Sequence, residues 1–335
     1  MRSDGMKLGR RTAGRGRGTV GRVFAVLAVG LLLTSAACGS DDKSDEASGA
    51  VTITHSLGET AVSGTPKRIV TLGNQWLDAT LALGVTPVGY ADNVSMGSKS
   101  KVPWVPDSLN EAKVLSMGSD VVEQIAALEP DLILVPGFMV DKAMYEKLSK
   151  LAPTIGPVTP NAQVDQWSDQ LATLGKVLHR QADADKVVAD VNGRIDGVAH
   201  RYPGLRGKTF LTCMLTGPAQ LMVLADPKDG SATLFNRLGM SIPEKIAQEA
   251  PAGGRLALSP ERLGDLTSDM LVCGALPAFE EKFKRLPGYD ALPSVQRNGI
   301  AFVDVTTISA INTPTPLSVP FVLDKLDPTF AAVSK

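Results

Sequence analysis

Three cysteines, three histidines and a scatter of carboxylates are the groups in this 335-residue chain that could do chemistry. Their spacing excludes more than it allows. His55, His179 and His200 stand far apart, with no H-x-x-x-H and no C-x-x-C. A transition-metal site wants several such ligands converging, so no bare metal ion is expected to bind. There is no G-x-S-x-G elbow and no phosphate loop ending in Gly-Lys-Ser/Thr. Gly16-Arg17-Gly18-Thr19-Val20-Gly21 fits G-x-G-x-x-G, but no strand precedes it and the dinucleotide reading fails its context test. With neither a nucleophile–base pair nor a redox-cofactor loop, the chain is not expected to be an enzyme. Two carboxylates do form a pattern. Glu123 opens "EQIAALEPDLILVPG" and Glu261 opens "ERLGDLTSDMLVCGA", and eight residues after each comes an aspartate, Asp131 or Asp269, followed by an apolar run.

The elements around these residues alternate. "RIVTLG", "PVGYAD" and "DLILVPG" read as strands, while "NQWLDATLALG", "VVEQIAALEP" and "DKAMYEKLSKLAP" read as helices. Such alternation implies βαβ units and a largely parallel sheet, whose buried strands are continuous apolar runs. A second alternating block begins near Lys208, and "LALGVTP" is echoed there by "FNRLGMSIP". Between the blocks, Trp167, Leu171, Leu174 and Leu178 step at helical spacing, and so do Val187, Val191, Ile195 and Val198. A helix over Ala182–His200, with Asp183 as its cap, would be about 28 Å long. The expected fold class is α/β, with two similar Rossmann-like lobes joined by a long rigid helix and a ligand cleft between them. The N-terminal lobe is set at 51–160, the linking helices at 161–205 and the C-terminal lobe at 206–335.

Ahead of the lobes, residues 1–37 carry seven basic groups, an apolar run over Val23–Leu33 and a small-residue exit, the pattern of a signal peptide. Ser35-Ala36-Ala37-Cys38 resembles the lipobox of bacterial lipoproteins, so Cys38 is expected to carry the lipid and 38–50 to serve as anchor and polar tether. The protein is then exported and held on the outer face of the cell membrane. Loss of 1–37 leaves 27 basic and 34 acidic groups, a net charge near −7 that offers nothing to nucleic acid.

"PKRIVTLGNQWLDATLALGVTPVGYAD", "LEPDLILVPG", "YEKLSKLAPTI", "LATLGKVLHRQADADKVVADVNGRI" and "TPLSVPFVLDKLDPTFAA" resemble the ferric-siderophore and cobalamin class of ABC-transporter substrate-binding lipoproteins. The resemblance runs from about Thr65 to the C-terminus. It implies a monomer that captures an Fe(III)-siderophore in the interlobe cleft and delivers it to a membrane permease, with no covalent cofactor besides the lipid. Haem or cobalamin as cargo, or a surface-anchored siderophore-processing enzyme, are the alternatives. It also implies that Glu123 and Glu261 dock on permease arginines; a first-turn glutamate favoured by the helix dipole is the other explanation for each. Ligand contacts are expected from loops at the carboxyl ends of the strands. In the first lobe these supply Asn74, Trp76, Lys99, Trp104 and Phe138, and in the second Met214, Arg255 as the cation, and Asn312 in "TTISAINTPT". Trp76 fits the helix core equally well. Cys213 and Cys273 lie at similar depth in two strands; a disulfide is open, but two buried thiols are expected, since bridges between neighbouring parallel strands need uncommon geometry.

Overall fold

Apolar runs and amphipathic segments become strands and helices as their periods dictate. A hairpin of β1 (Val51–His55) and β2 (Gly58–Val62) comes first. Then follow β3 (Ile69–Leu72), α1 (Asn74–Ala82), β4 (Gly89–Ala91), α2 (Asn93–Ser98), β5 (Lys113–Val114), α3 (Val121–Ala126), β6 (Leu132–Leu134), α4 (Lys142–Leu148) and β7 (Thr154–Ile155). Two helices, α5 (Trp167–Val177) and α6 (Gln181–Arg201), lead to the second block. It holds β8 (Phe210–Gly217), β9 (Gln220–Leu224), α7 (Thr233–Arg237), α8 (Glu244–Gln248), β10 (Arg255–Leu258) and β11 (Met270–Gly274). The chain ends with α9 (Pro277–Lys284), α10 (Pro293–Gln296), β12 (Ile300–Val303), α11 (Val305–Asn312) and α12 (Ser318–Val333). This is a computed structural model describing residues 49–118, 120–160, 162–217, 220–274 and 277–335. The leader, Cys38 and all but the end of the tether lie outside the described residues.

Two five-stranded sheets result, ordered β5-β4-β3-β6-β7 and β10-β9-β8-β11-β12. Numbered along the chain, each has the order 3-2-1-4-5, so the two blocks share a plan. The first sheet is parallel throughout. The second departs from the expectation at one strand. Gly217 pairs with Gln220, so β9 returns directly as an antiparallel partner of β8, and no crossover fits into so short a connection.

The repeated Glu-to-Asp spacing has a structural cause. Asp131, just before β6, accepts the N–H groups of Lys67 and Arg68 at 2.7 and 2.8 Å. Asp269, just before β11, accepts the N–H and hydroxyl of Thr209 at 2.8 and 2.9 Å. Both carboxylates thus satisfy backbone donors at the entrance to the central strand, β3 or β8, where the ladder has not begun.

One apolar cluster runs from Ile69 and Leu132 of the first sheet, through Leu171 and Ile195 of the linking helices, to Phe210 and Leu271 of the second. The other face of the first sheet buries Val70 and Ile133 against Ile125 and Leu148. Helix α6 is about 31 Å long at 1.5 Å per residue and turns Ala184, Val191, Ile195 and Val198 inward. Asp183 does not cap it. The N-cap is Arg180, and Asp183 sits in the first turn, where it pairs with Arg180 at 3.1 Å. Residues Ala47–Lys335 form one compact unit.

Two further expectations are corrected. "TTISAINTPT" is largely helix α11, because the Asp304 carboxylate accepts the Thr307 N–H at 2.7 Å and caps it. Cys213 and Cys273 are joined by a disulfide. They are register partners on adjacent strands β8 and β11, point to the same face, and have Cα atoms 4.5 Å apart, inside the range a bridge can span.

Candidate functional site

In open α/β sheets ligands bind beyond the carboxyl ends of the strands, where the strand order reverses. Here those points are β3/β6 and β8/β11. Gly73 makes the turn from β3 into α1 at φ 83°, and a Cβ there would stand 2.9 Å from Pro136 and 3.3 Å from Met139, so only glycine admits that approach. Asp92 caps α2 by accepting the Val94 and Ser95 N–H groups at 2.9 and 3.2 Å. The residues after β4 therefore leave the loop conformation and form a helix that lies against α11, which follows β12. Elements leaving the carboxyl ends of the two sheets thus meet.

Beside that meeting runs a polar seam. Asn74 donates its backbone N–H to Asn93 Oδ1 at 2.8 Å, and its Nδ2 donates to Thr313 O at 3.0 Å. Gln75 Nε2 donates to Pro314 O at 3.1 Å and to Asp165 O at 3.2 Å. Asp78 Oδ2 accepts the Thr315 hydroxyl at 2.6 Å and the Trp104 indole N–H at 2.9 Å. Thr315 in turn accepts the Ser318 N–H at the start of α12, at 2.9 Å. Trp104 packs on Phe321 with ring centroids 5.1 Å apart. One face of α1 is therefore bound to three successive residues, 313–315. Asp78 is 1% exposed, and burial pushes its carboxyl up to about 8 against the pull of Thr315 and Trp104, with Asp92 adding to the rise. Asp165, raised by burial, accepts the Val158 and Thr159 N–H groups and Gln170 Nε2.

The expected ligand residues divide accordingly. Asn74 is buried in the seam, and Trp76, fully buried, belongs to the core shared with α5. Trp104 is half-buried over Phe321. Lys99 ends α2 in the left-handed region at φ 56° and is exposed. Phe138 lies half-buried in the turn after β6, Met214 half-buried in β8, and Asn312 half-buried at the end of α11. Arg255 opens β10 opposite Leu224, at the amino end of its strand, and its Nη2 donates to Asp229 at 3.2 Å and Ser231 at 2.9 Å. That guanidinium serves an internal ion pair with a buried partner. Glu123 and Glu261 are exposed, in the first turns of α3 and of the 3-10 segment Pro260–Leu266. The Ser259 hydroxyl holds the Glu261 carboxyl below its ordinary range. Among the described residues no three His, Cys, Asp or Glu are grouped to hold a metal ion. Sequence reasoning missed Asp78, Asp165 and Thr315; the Thr315-x-x-Ser318 spacing before α12 was the one local signal for them.

Comparison with known proteins agrees with this architecture. The sequence pattern of the family described as periplasmic binding protein matches residues 69–305. The Fe(3+)-citrate-binding protein YfmC of Bacillus subtilis (strain 168) is 32% identical over 223 residues, 65% of this chain and 69% of that protein. The probable siderophore-binding lipoprotein YfiY of the same organism is 27% identical over 235 residues, 68% of each. The crystal structure of a periplasmic solute binding protein from Mycobacterium smegmatis str. MC2 155 superposes with a TM-score of 0.71 at 27% identity, covering 86% of this chain and 99% of that one. The match spans both sheets and the helices between them, and the chain belongs to the periplasmic binding protein family.

Proposed function

We propose that this chain is an exported, lipid-anchored substrate-binding protein that captures a ferric chelate between its two sheets and hands it to an ABC permease. The observation behind this is the meeting of α2 and α11, which bring the carboxyl ends of two like-ordered sheets together in a member of a family of binding proteins rather than enzymes. Relatives are named for ferric citrate and siderophore binding. Iron would arrive already chelated, because a bare ion needs converging ligands. The lobes are 51–160 and 206–335, joined by 161–205, in a monomer tethered through Cys38. Lys99, Phe138, Met214 and Asn312 are the contacts with room to reach a ligand, while Asn74 is held in the seam, Trp76 in the core and Arg255 in its ion pair with Asp229. Glu123 and Glu261 are the docking carboxylates, offering like charge from each lobe to a basic partner.

The test is a titration of the soluble form, Gly39–Lys335, with ferric citrate, iron-loaded hydroxamate and catecholate siderophores, and haem, read by tryptophan fluorescence. Saturable quenching by one iron-loaded class, lost in Trp104→Ala, is the expected result and names the cargo. A response to haem alone would move the assignment to haem, and flat responses throughout would refute capture of an iron chelate.

A further inference from the structure

A concavity opens beside α2, at the β5 edge of the first sheet. Tyr90, Met96, Val105, Leu109 and Val114 wall a cavity of about 310 Å3. Met96 is 49% and Val114 60% exposed, two of the three large apolar side chains left exposed among the described residues. Open apolar surface gathered at a concavity of this size is the signature of a binding site. Two other cavities differ in kind. One, between α6 and α12, is lined by Arg194, Arg201, Asp324 and Asp327, with Arg201 paired to Asp327, and the other by Lys208 and Arg297, both paired to Asp269, so each is dominated by charge.

The polar groups lining the apolar cavity are mostly donors. The Tyr90 hydroxyl and the Asn110 amide have no hydrogen-bond partner among the described residues. Lys101 is held by an ion pair with Asp107 at 3.1 Å, and the Asp107 side chain is 94% exposed, a weak hold in water. Asp92, the one carboxylate in the lining, already accepts two backbone N–H groups and the Ser95 hydroxyl. Apolar walls with a phenol, an amide and an ammonium suit an apolar body that ends in an anion. We propose that this cavity, walled by β4, α2 and β5, binds a small monocarboxylate with an aryl or short alkyl body.

Methionine-methyl NMR of Gly39–Lys335, which contains the whole compact unit, tests this. Sodium salicylate and sodium octanoate are titrated separately without iron. Met96 is assigned by Met96→Leu, and Met139, beside Gly73 at the cleft end, serves as the control. A saturable shift of Met96 with Met139 still is expected. It should weaken roughly tenfold in Tyr90→Phe, the scale of one hydrogen bond to a charged group, and vanish in Val114→Glu, an exposed position that does not endanger folding. Response to salicylate alone assigns the aryl class, and response to octanoate alone the alkyl class. A silent Met96 up to about 10 mM of both probes, beyond any useful affinity, overturns the proposal, as does an unchanged shift in Val114→Glu. Failure of iron chelates to move Met139 would count against the cleft and leave this site standing.

Discussion

Replacing Asp78 by Asn should remove the pH dependence contributed by the interlobe seam. The buried carboxyl titrates near 8 in the folded chain against 3.8 as its reference. The folded state therefore holds a proton that the unfolded chain gives up above about pH 4, so stability falls as pH rises from about 4 to about 8 and is level beyond. About four units at 1.36 kcal/mol each set a ceiling of roughly 5 kcal/mol, and local relaxation brings the expected loss to about 2–4 kcal/mol. Asn copies the neutral acid: its oxygen can accept from Thr315 and Trp104, and its amide takes the place of Oδ1, which has no partner. Urea denaturation of the two proteins at pH 5, 7 and 8.5 isolates the site, because every other titration is common to both. An advantage for Asp78→Asn that is small at pH 5 and widens through pH 7 to about 2–4 kcal/mol at pH 8.5 is expected. Parallel curves would refute the reasoning, since they would mean that Asp78 is ionised in the native state.

Other outcomes follow from the same contacts. Glu123→Lys with Glu261→Lys should abolish iron uptake in cells while leaving chelate affinity of the isolated protein unchanged, because both side chains are exposed; retained uptake would remove their docking role. Cys213→Ser with Cys273→Ser should lower stability by about 4 kcal/mol from loop entropy, the bridge closing a separation of 60 residues, and matching urea midpoints would show that the bridge constrains nothing. His55 accepts the Leu57 N–H on Nδ1, lies 2.9 Å from Thr60 Oγ1 through Nε2, and is held below its ordinary pKa by burial. Its contribution is thus fully present above pH 6.5 and lost below it, as pH falls through the lowered value of the folded state, and His55→Gln should flatten the acid side of the stability profile.

The strands were legible because a buried parallel strand is a continuous apolar run: "DLILV" and "DMLVC" could hardly be anything else. The offset between Glu123 and Asp131 was legible as a repeat, but its reason, a carboxylate closing the entrance to β3, appears only once Lys67 and Arg68 are seen beside it. The seam was not legible. Asp78 reads as an ordinary helical residue, and its partner Thr315 lies 237 positions further along the chain. The disulfide failed for a related reason: periodicity puts Cys213 and Cys273 in strands, but pairing register decides whether they face each other. Lys99 and Arg255 illustrate the weakness of residue type alone, one exposed beyond a helix end and the other engaged by Asp229.

The seam and the core together argue for capture without large closure. The apolar cluster passes without a break from Ile69 through Leu171 and Ile195 to Phe210, so separating the sheets would expose it. Asn74, Gln75 and Asp78 then fasten α1 to 313–315 on the far side of the first sheet's switch point. A hinge needs a few residues free to absorb a change in φ and ψ, and the linking segment is instead two helices, α5 and α6, packed on each other with Gly175 admitting Ala184. Small-angle scattering of the free and chelate-loaded protein should therefore give radii of gyration within about 1 Å, as for preorganised partners. A larger contraction on loading would mean that the seam opens in solution, and Asp78→Ala, which removes its central acceptor, should then enlarge the free protein.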